Sequence, residues 1–308
     1  MTLAQAPLLV TGATHSATTF RQMIKDLSRG SEGVTESGDL KVTALPTPGA
    51  GVQIADGSAV IRGRANPWQG SYTAYNIGPA TVPVAATGAT PRTDMVVLRV
   101  LDPEFEGSKD PAKDAINVFE VIPNVGATAT EPPAGVTGVA LACIDIPAKT
   151  ATITNGMIRD LRNVANPRTT SKLFTASPVE DQPYRGTNYT WTQWPPVARW
   201  KVYVPYWAVR ARIKMTLAGV QLMGGYGYGG SAGRLGTLQY QSVVVESNAG
   251  SERLNFISAD TIDVPPAYRD TVQWLEHIVA RSSDFPGWFE ADVATTAIAE
   301  ISFDEGAA

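Results

Sequence analysis

With 28 glycines and 22 prolines set between short apolar runs, this 308-residue chain leaves few stretches long enough for a helix. Both residues are poor in helix interiors and frequent at strand ends and tight turns. The pattern points to an all-β, turn-rich fold and against a helical bundle. Charged residues make up only 18% of the chain, against roughly 25% in an ordinary domain. The net charge of −4 argues against the broad basic surface of a nucleic-acid binder. A single cysteine excludes an intrachain disulfide framework and a CxxC zinc site, and two histidines leave little for metal binding. No cofactor or metal is therefore expected. No segment approaches the ~20 apolar residues of a membrane helix. The N-terminus has no basic n-region and only a short apolar run at residues 8–10, so neither secretion nor membrane insertion is expected.

One helix is expected near the start. Phe20, Met23, Ile24 and Leu27 follow the i, i+3, i+4, i+7 spacing of a single apolar face. Thr19 with Gln22 fits a capping box and Gly30 fits a C-terminal stop. A helix this short is marginal alone, so its stripe must dock on the β structure that follows or on another chain. Buried strands are expected at residues 93–100, 116–122 and 139–146, giving residues 1–165 the form of a small sandwich or barrel behind an N-terminal arm. Residues 166–172 are polar and aperiodic and read as a linker. Beyond it, Val209, Ala211, Ile213, Met215 and Leu217 alternate with Arg210, Arg212, Lys214 and Thr216, as in a half-buried strand with a basic outer face. Further strands are expected at 238–246, 254–264, 271–281 and 293–303. Residues 173–308 then form a second sandwich of jelly-roll type.

Catalytic motifs are weak. The segment LLVTGATHSA resembles the start of a dinucleotide-binding unit, but Ser16 and Thr18 stand where further glycines would let backbone approach a pyrophosphate. An extended arm is the better reading. His15 lies in that arm. His277 shares a strand with Glu276, and adjacent residues of a strand face opposite ways. Cys143 sits in an apolar run and reads as structural. Asp260 with Asp263, and Glu290 with Asp292, are the carboxylate pairs a glycan hydrolase would need, but nothing in their spacing singles them out. The expectation is a protein that is not an enzyme.

Binding residues stand out more clearly. The run Gly224–Gly230 carries Tyr226 and Tyr228 among glycines, and reads either as a turn or as a cradle in which a sugar ring stacks on tyrosine. Residues 184–207 are dense in aromatics, either core or contact surface. Trp191 and Trp194 fall on a polar stretch, which makes them the candidates for exposure. Arg210 and Arg212 could meet an anionic wall polymer, with a solvated strand face as the plainer reading.

One pattern carries a family resemblance. It runs through Asp39-Leu40-x-Val42-Thr43-Ala44, Gly51-Val52-x-Ile54-Ala55-x-Gly57, Arg92-x-Asp94-x-Val96-Val97 and Ile158-Arg159-Asp160-Leu161-Arg162. In this order, behind the helix, these elements resemble the N-terminal module of minor tail proteins of actinobacterial tailed phages, and of siphophage upper-baseplate and receptor-binding proteins. The resemblance covers about residues 1–165 and brings no catalytic residues. It implies a structural virion protein, made in the host cytoplasm, attached at the tail tip and commonly trimeric. Its implied partners are other tail or baseplate proteins, copies of itself and a host cell-wall glycan. The helix Phe20, Met23, Ile24, Leu27 would be the assembly surface, and residues 173–308 the module offered for host contact, with a non-catalytic glycan-binding module as the alternative.

Overall fold

The computed structural model describes residues 11–248 and 251–307; the apolar run at residues 8–10 and the start of the expected arm lie outside these. The chain divides into two compact units, the first ending at Pro167 and the second spanning Arg168–Gly306. The expected all-β sandwich fold is observed.

Unit 1 begins with α1 (Ala17–Leu27), which three small antiparallel sheets follow. One holds β1 (Gly33–Val34), β4 (Gly57–Arg62) and β5 (Ser71–Asn76), and another β2 (Val42–Ala44), β3 (Gly51–Ile54) and β6 (Ala80–Pro83). The third orders β10 (Ile158–Asp160), β9 (Gly138–Ile146), β7 (Arg92–Val100) and β8 (Asn117–Ile122). All three sheets line one core, with Ile54, Ile61, Leu141 and Ile144 fully enclosed. Strand β9 is apolar on both faces because Ala140 and Cys143 on its other side, with Met95 and Val97 of β7, are packed by Val125, Ala129 and Leu161.

The expected capping box at Thr19 is corrected: α1 starts one turn earlier, where the Ser16 hydroxyl accepts from the Thr19 backbone N–H at 3.3 Å. At the other end, Gly30 N–H bonds the Lys25 carbonyl at 2.8 Å and Arg29 N–H the Asp26 carbonyl at 3.1 Å, a Schellman closure that satisfies two terminal carbonyls.

The motif residues form two polar clusters. Asp39 Oδ2 accepts from the backbone of Glu36 and of Ser58, both at 3.1 Å, joining the turn before β2 to the start of β4. Arg162, its side chain fully buried, donates to the Asp39 and Ser37 carbonyls at 2.7 and 3.2 Å and grips Asp160 at 2.7 Å. Arg92 donates to Asp94 Oδ1 at 2.7 Å and to the Ala85 carbonyl, while Asp94 also receives the Asn124 backbone N–H. Each of these polar residues closes a loop that would otherwise leave backbone groups unpaired. Gly57 is required there: its φ is +136°, and a Cβ would lie 2.5–2.7 Å from Asp39. Gly57→Ala is expected to cost about 1–2 kcal/mol, read as a lower urea midpoint at unchanged m; a midpoint equal to wild type would show that Asp39 is free to move.

Unit 2 is two antiparallel sheets packed face to face. One contains β11 (Thr169–Ala176), β12 (Gln182–Tyr184), β15 (Arg210–Met223), β19 (Ser251–Asp263), β21 (Trp288–Ala291) and β22 (Thr296–Asp304). The other contains β13 (Thr192–Gln193), β14 (Arg199–Val204), β16 (Gly227–Leu235), β17 (Leu238–Gln239), β18 (Val243–Ser247) and β20 (Thr271–Arg281). Ile213 and Met215 of β15 and Phe303 of β22 meet Val202, Leu235 and Leu275 of the opposite sheet. The inward set on β15 is as the alternation predicts, with Ala211, Ile213, Met215 and Leu217 buried.

Several expectations are revised. Residues 166–172 are not a free linker: β11 begins at Thr169 and pairs with β22 along its whole length. Arg168 anchors its start by donating to both carboxylate oxygens of Glu305. Polar composition there marks an edge strand with one solvated face. The single strand expected at 238–246 is two, β17 and β18. Val293 is exposed on the turn before β22, whose inward face starts at Ala297.

Candidate functional site

The Gly224–Gly230 run, expected as a turn, is half strand. β16 starts at Gly227, and the pleat puts Tyr228 and Gly230 on one face. Tyr226, just before it, joins that side: its ring and that of Tyr228 both pack on Phe285, with centroids 4.6 and 6.0 Å away. Tyr228 also meets Tyr189 at 6.0 Å, and Tyr189 meets Trp191 edge-on at 6.3 Å. Trp191 lies over Gly230, where a Cβ would come within 2.7 Å of its ring. The result is a continuous, partly exposed row from Phe285 through the three tyrosines to Trp191. Tyr189 and Phe285 were not singled out by sequence, because each becomes part of the row only when loops 39 or more residues away in β16 fold beside it.

Polar groups border the row. Glu246 of β18 faces Tyr228 in register and accepts from the Tyr226 hydroxyl at 3.2 Å. Burial and the neighbouring Tyr228 raise the Tyr189 phenol above its usual range. The supporting loops are held by a buried cation. Arg281, at the end of β20, donates to the carbonyls of Gly186, Phe285 and Gly287, tying the loop at residues 185–190 and the loop at 282–287 to one strand. Backbone bonds Tyr189 N–H to Arg281 O and Ser282 N–H to Tyr228 O complete the frame.

Of the predicted contact residues, Trp191, Tyr226 and Tyr228 thus come together, and Trp194 does not. It is 4% exposed, packs in the core with Tyr184 and Phe289, and donates its indole N–H to the Gln182 carbonyl at 3.1 Å. The polar residues around it in sequence form a short turn and the strand β13, which cover it. Arg210 and Arg212 lie elsewhere, on the outer face of β15. That face is not the basic stripe expected: β22 sets acids beside it, so Arg212 pairs with Asp304 at 2.8 Å and Lys214 with Glu300 at 3.6 Å, and Arg210 stands opposite Asp263 and Asp304 in register.

Two of the four candidate acids, Asp292 and Asp260, are engaged structurally. Arg253 beside Asp292 holds its carboxyl well below the usual carboxylate range, with Gln221, Thr295 and the Ala294 N–H also bound. A general acid of a glycosidase must instead keep its proton near neutrality. Asp260 accepts from the backbone of Gln241 and Thr261. His277 is enclosed, between the Ser231 hydroxyl and the Trp194 carbonyl, each 2.9 Å away. Burial pushes the Cys143 thiol up, as for an inert structural cysteine.

The second surface is on unit 1. α1 docks by its polar side. Arg21, nearly buried, donates to the Gln69 carbonyl at 2.8 Å, to Asp102 at 3.2 Å and to Glu104 at 2.7 Å, with the rings of Tyr72 and Phe105 against its guanidinium at 5.6 and 5.2 Å. Gln22 and Lys25 donate to the carbonyls of Trp68 and Pro67. At 100° per residue, the stripe Phe20, Met23, Ile24, Leu27 points well away from Arg21 and Lys25. Phe20 is 44% and Leu27 74% exposed, with Met23 and Ile24 half-buried. Of the stripe expected to be covered, Phe20, which meets the His15 ring edge-on at 6.3 Å, and Leu27 stay exposed among the described residues.

No protein-family model and no curated protein matches the chain. Among solved structures, it is similar to the infectious bursal disease virus T13 particle protein at 9% identity over 90% of this chain and 72% of that one, TM-score 0.28. It is also similar to the VP2 subviral particle of the same virus, at 9% identity over 90% and 75%, TM-score 0.25. A third is the insecticidal delta-endotoxin Cry8Ea1 of Bacillus thuringiensis, at 9% over 89% and 52%, TM-score 0.19. At such scores, function rests on the chain's own residues.

Proposed function

We propose that this chain is a non-catalytic structural component of a virion, a minor tail or baseplate protein of a tailed bacteriophage, in which unit 1 attaches to neighbouring tail proteins and to copies of itself and unit 2 is the exposed module. The observation that carries the reading is α1: a helix pinned to its own unit by Arg21, with its apolar stripe turned away, is an assembly surface in waiting. The motif resemblance supports it, because the elements quoted for that family are the ones that knot unit 1 together. The low charge content fits a chain whose surface is partly covered in an assembly.

The test is mass in solution together with incorporation. The wild-type chain should form an oligomer, a trimer by this reading, at micromolar concentration. Leu27→Glu and Phe20→Ser should change folding stability by no more than about 0.5 kcal/mol, yet yield monomer and fail to enter virions. A wild-type monomer, or variants that assemble as well as wild type, would remove the assembly role of α1.

A further inference from the structure

We propose that the aromatic row of unit 2 is a binding platform for a neutral saccharide. This inference rests on unit 2 alone and is independent of the assembly role proposed for α1.

A pyranose ring has an apolar face of C–H bonds and a rim of hydroxyls. It needs exposed aromatic ring faces to lie against and hydrogen-bonding groups at the edge. The row from Phe285 through Tyr226, Tyr228 and Tyr189 to Trp191 supplies the first. The tyrosine hydroxyls and the Glu246 carboxylate supply the second, the Tyr226–Glu246 bond at 3.2 Å placing donor and acceptor side by side. Of aliphatic side chains, β18 adds Val244, 62% exposed and opposite Gly230. What favours a hydroxylated ligand is the rim: three tyrosine hydroxyls and the Glu246 carboxylate stand beside the ring faces, where a sugar's hydroxyls would meet them.

Charge selects among saccharides. In the segments that build the platform, residues 185–191, 226–230, 243–247 and 281–285, the charged side chains are Arg185, Glu246, Arg281 and Asp284. Arg281 is turned inward onto three carbonyls, and Arg185 lies on the Trp288 ring at 3.6 Å. Arg185 is exposed but held on that ring, so the charge next to the tyrosine hydroxyls is the Glu246 carboxylate, which accepts from sugar hydroxyls and disfavours phosphate or uronate there. The platform is also preorganised: the glycine at position 230 lets Trp191 lie directly on the strand, and Arg281 fixes both loops before any ligand arrives. Arg281 is a positioning residue.

The experiment titrates the full chain with neutral oligosaccharides of glucose, galactose, mannose and N-acetylglucosamine, with polyglycerol phosphate as the anionic comparator, by calorimetry. At least one neutral oligosaccharide should bind with Kd on the order of 0.1–1 mM, and polyglycerol phosphate should not. Tyr228→Ala should weaken binding about tenfold or more. Glu246→Gln, which keeps the packing, should weaken it several-fold while leaving the urea midpoint at the wild-type value. The proposal is overturned if none of the four sugars binds, if both variants bind like wild type, or if only the anionic polymer binds. It is equally overturned if sedimentation shows a self-association that Tyr228→Ala dissolves, because the row would then be a contact between copies.

Discussion

Arg21→Ala is expected to release α1 from unit 1 and to destabilise that unit by about 3 kcal/mol. The side chain is 8% exposed and is the only buried residue of the helix. Its removal strips four charge-assisted bonds at once, to Thr18, Gln69, Asp102 and Glu104, and leaves Asp102, 15% exposed, with the Tyr72 hydroxyl at 2.8 Å as its remaining side-chain donor among those described. It also removes the cation from between Tyr72 and Phe105. An 11-residue helix does not hold itself together in water, so detachment and unfolding of α1 are one event. Amide exchange at residues 17–27 should rise toward the rate of an open chain while the strands of unit 2 keep their protection. Arg21→Lys should fall between, since one ammonium cannot reach Gln69, Asp102 and Glu104 in three directions. Unchanged exchange in Arg21→Ala would mean that Gln22 and Lys25 suffice to hold the helix.

The stability of unit 2 is expected to fall by about 3 kcal/mol between pH 6.5 and pH 4 on account of His277 alone. Burial pushes this imidazole down to about 4. A carbonyl can only accept, so Nδ1 carries the proton it donates to Trp194, and Nε2 accepts from Ser231. The unfolded ring takes up its second proton near pH 6.5, and the folded ring only near pH 4. Across that interval the unfolded state binds more protons, so stability is full above 6.5 and declines as pH falls, by at most about 1.4 kcal/mol per pH unit. Every tryptophan but Trp68 lies in unit 2, so indole fluorescence follows its unfolding. Urea midpoints at pH 7, 6, 5 and 4 should fall in wild type and fall less in His277→Gln. The Asp292 carboxylate, held ionised by Arg253, adds its own loss as pH falls through the ordinary carboxylate range and below it, in His277→Gln as in wild type. Equal slopes in wild type and His277→Gln would exclude the histidine as the source.

Local pattern is legible where one element decides the outcome. The alternation of β15 is visible in sequence and is kept at Ala211, Ile213, Met215 and Leu217, because a strand between two neighbours can bury only one face against the opposite sheet. The spacing of Phe20, Met23, Ile24 and Leu27 likewise marks a helix. It does not say which face docks, since the answer lies in Asp102 and Glu104, 81 and 83 residues from Arg21. The same limit applies to the binding surfaces. Trp191 and Trp194 are three residues apart on one polar stretch, yet the first lies on β16 and the second in the core, according to which strand backs each. The basic face of β15 loses its character to acids on β22 that only register can place beside it. β11 was hidden by its composition, because an edge strand that is solvated on one side reads like a loop.

The glycines of β16 bear on how such a chain can change over time. Gly229, Gly230 and Gly233 each vacate a volume that a ring from another segment occupies: Phe289, Trp191 and Tyr240. The strand has in effect lent its side-chain positions to distant parts of the chain. Each loan binds two sites into a single unit of variation. A side chain appearing at position 230 has no place until the ring at 191 shrinks, and the reverse change leaves a hole. Among diverging relatives these positions should therefore drift as pairs, and a surface that must vary would do so by exchanging which segment fills the slot while the backbone of the strand stays put.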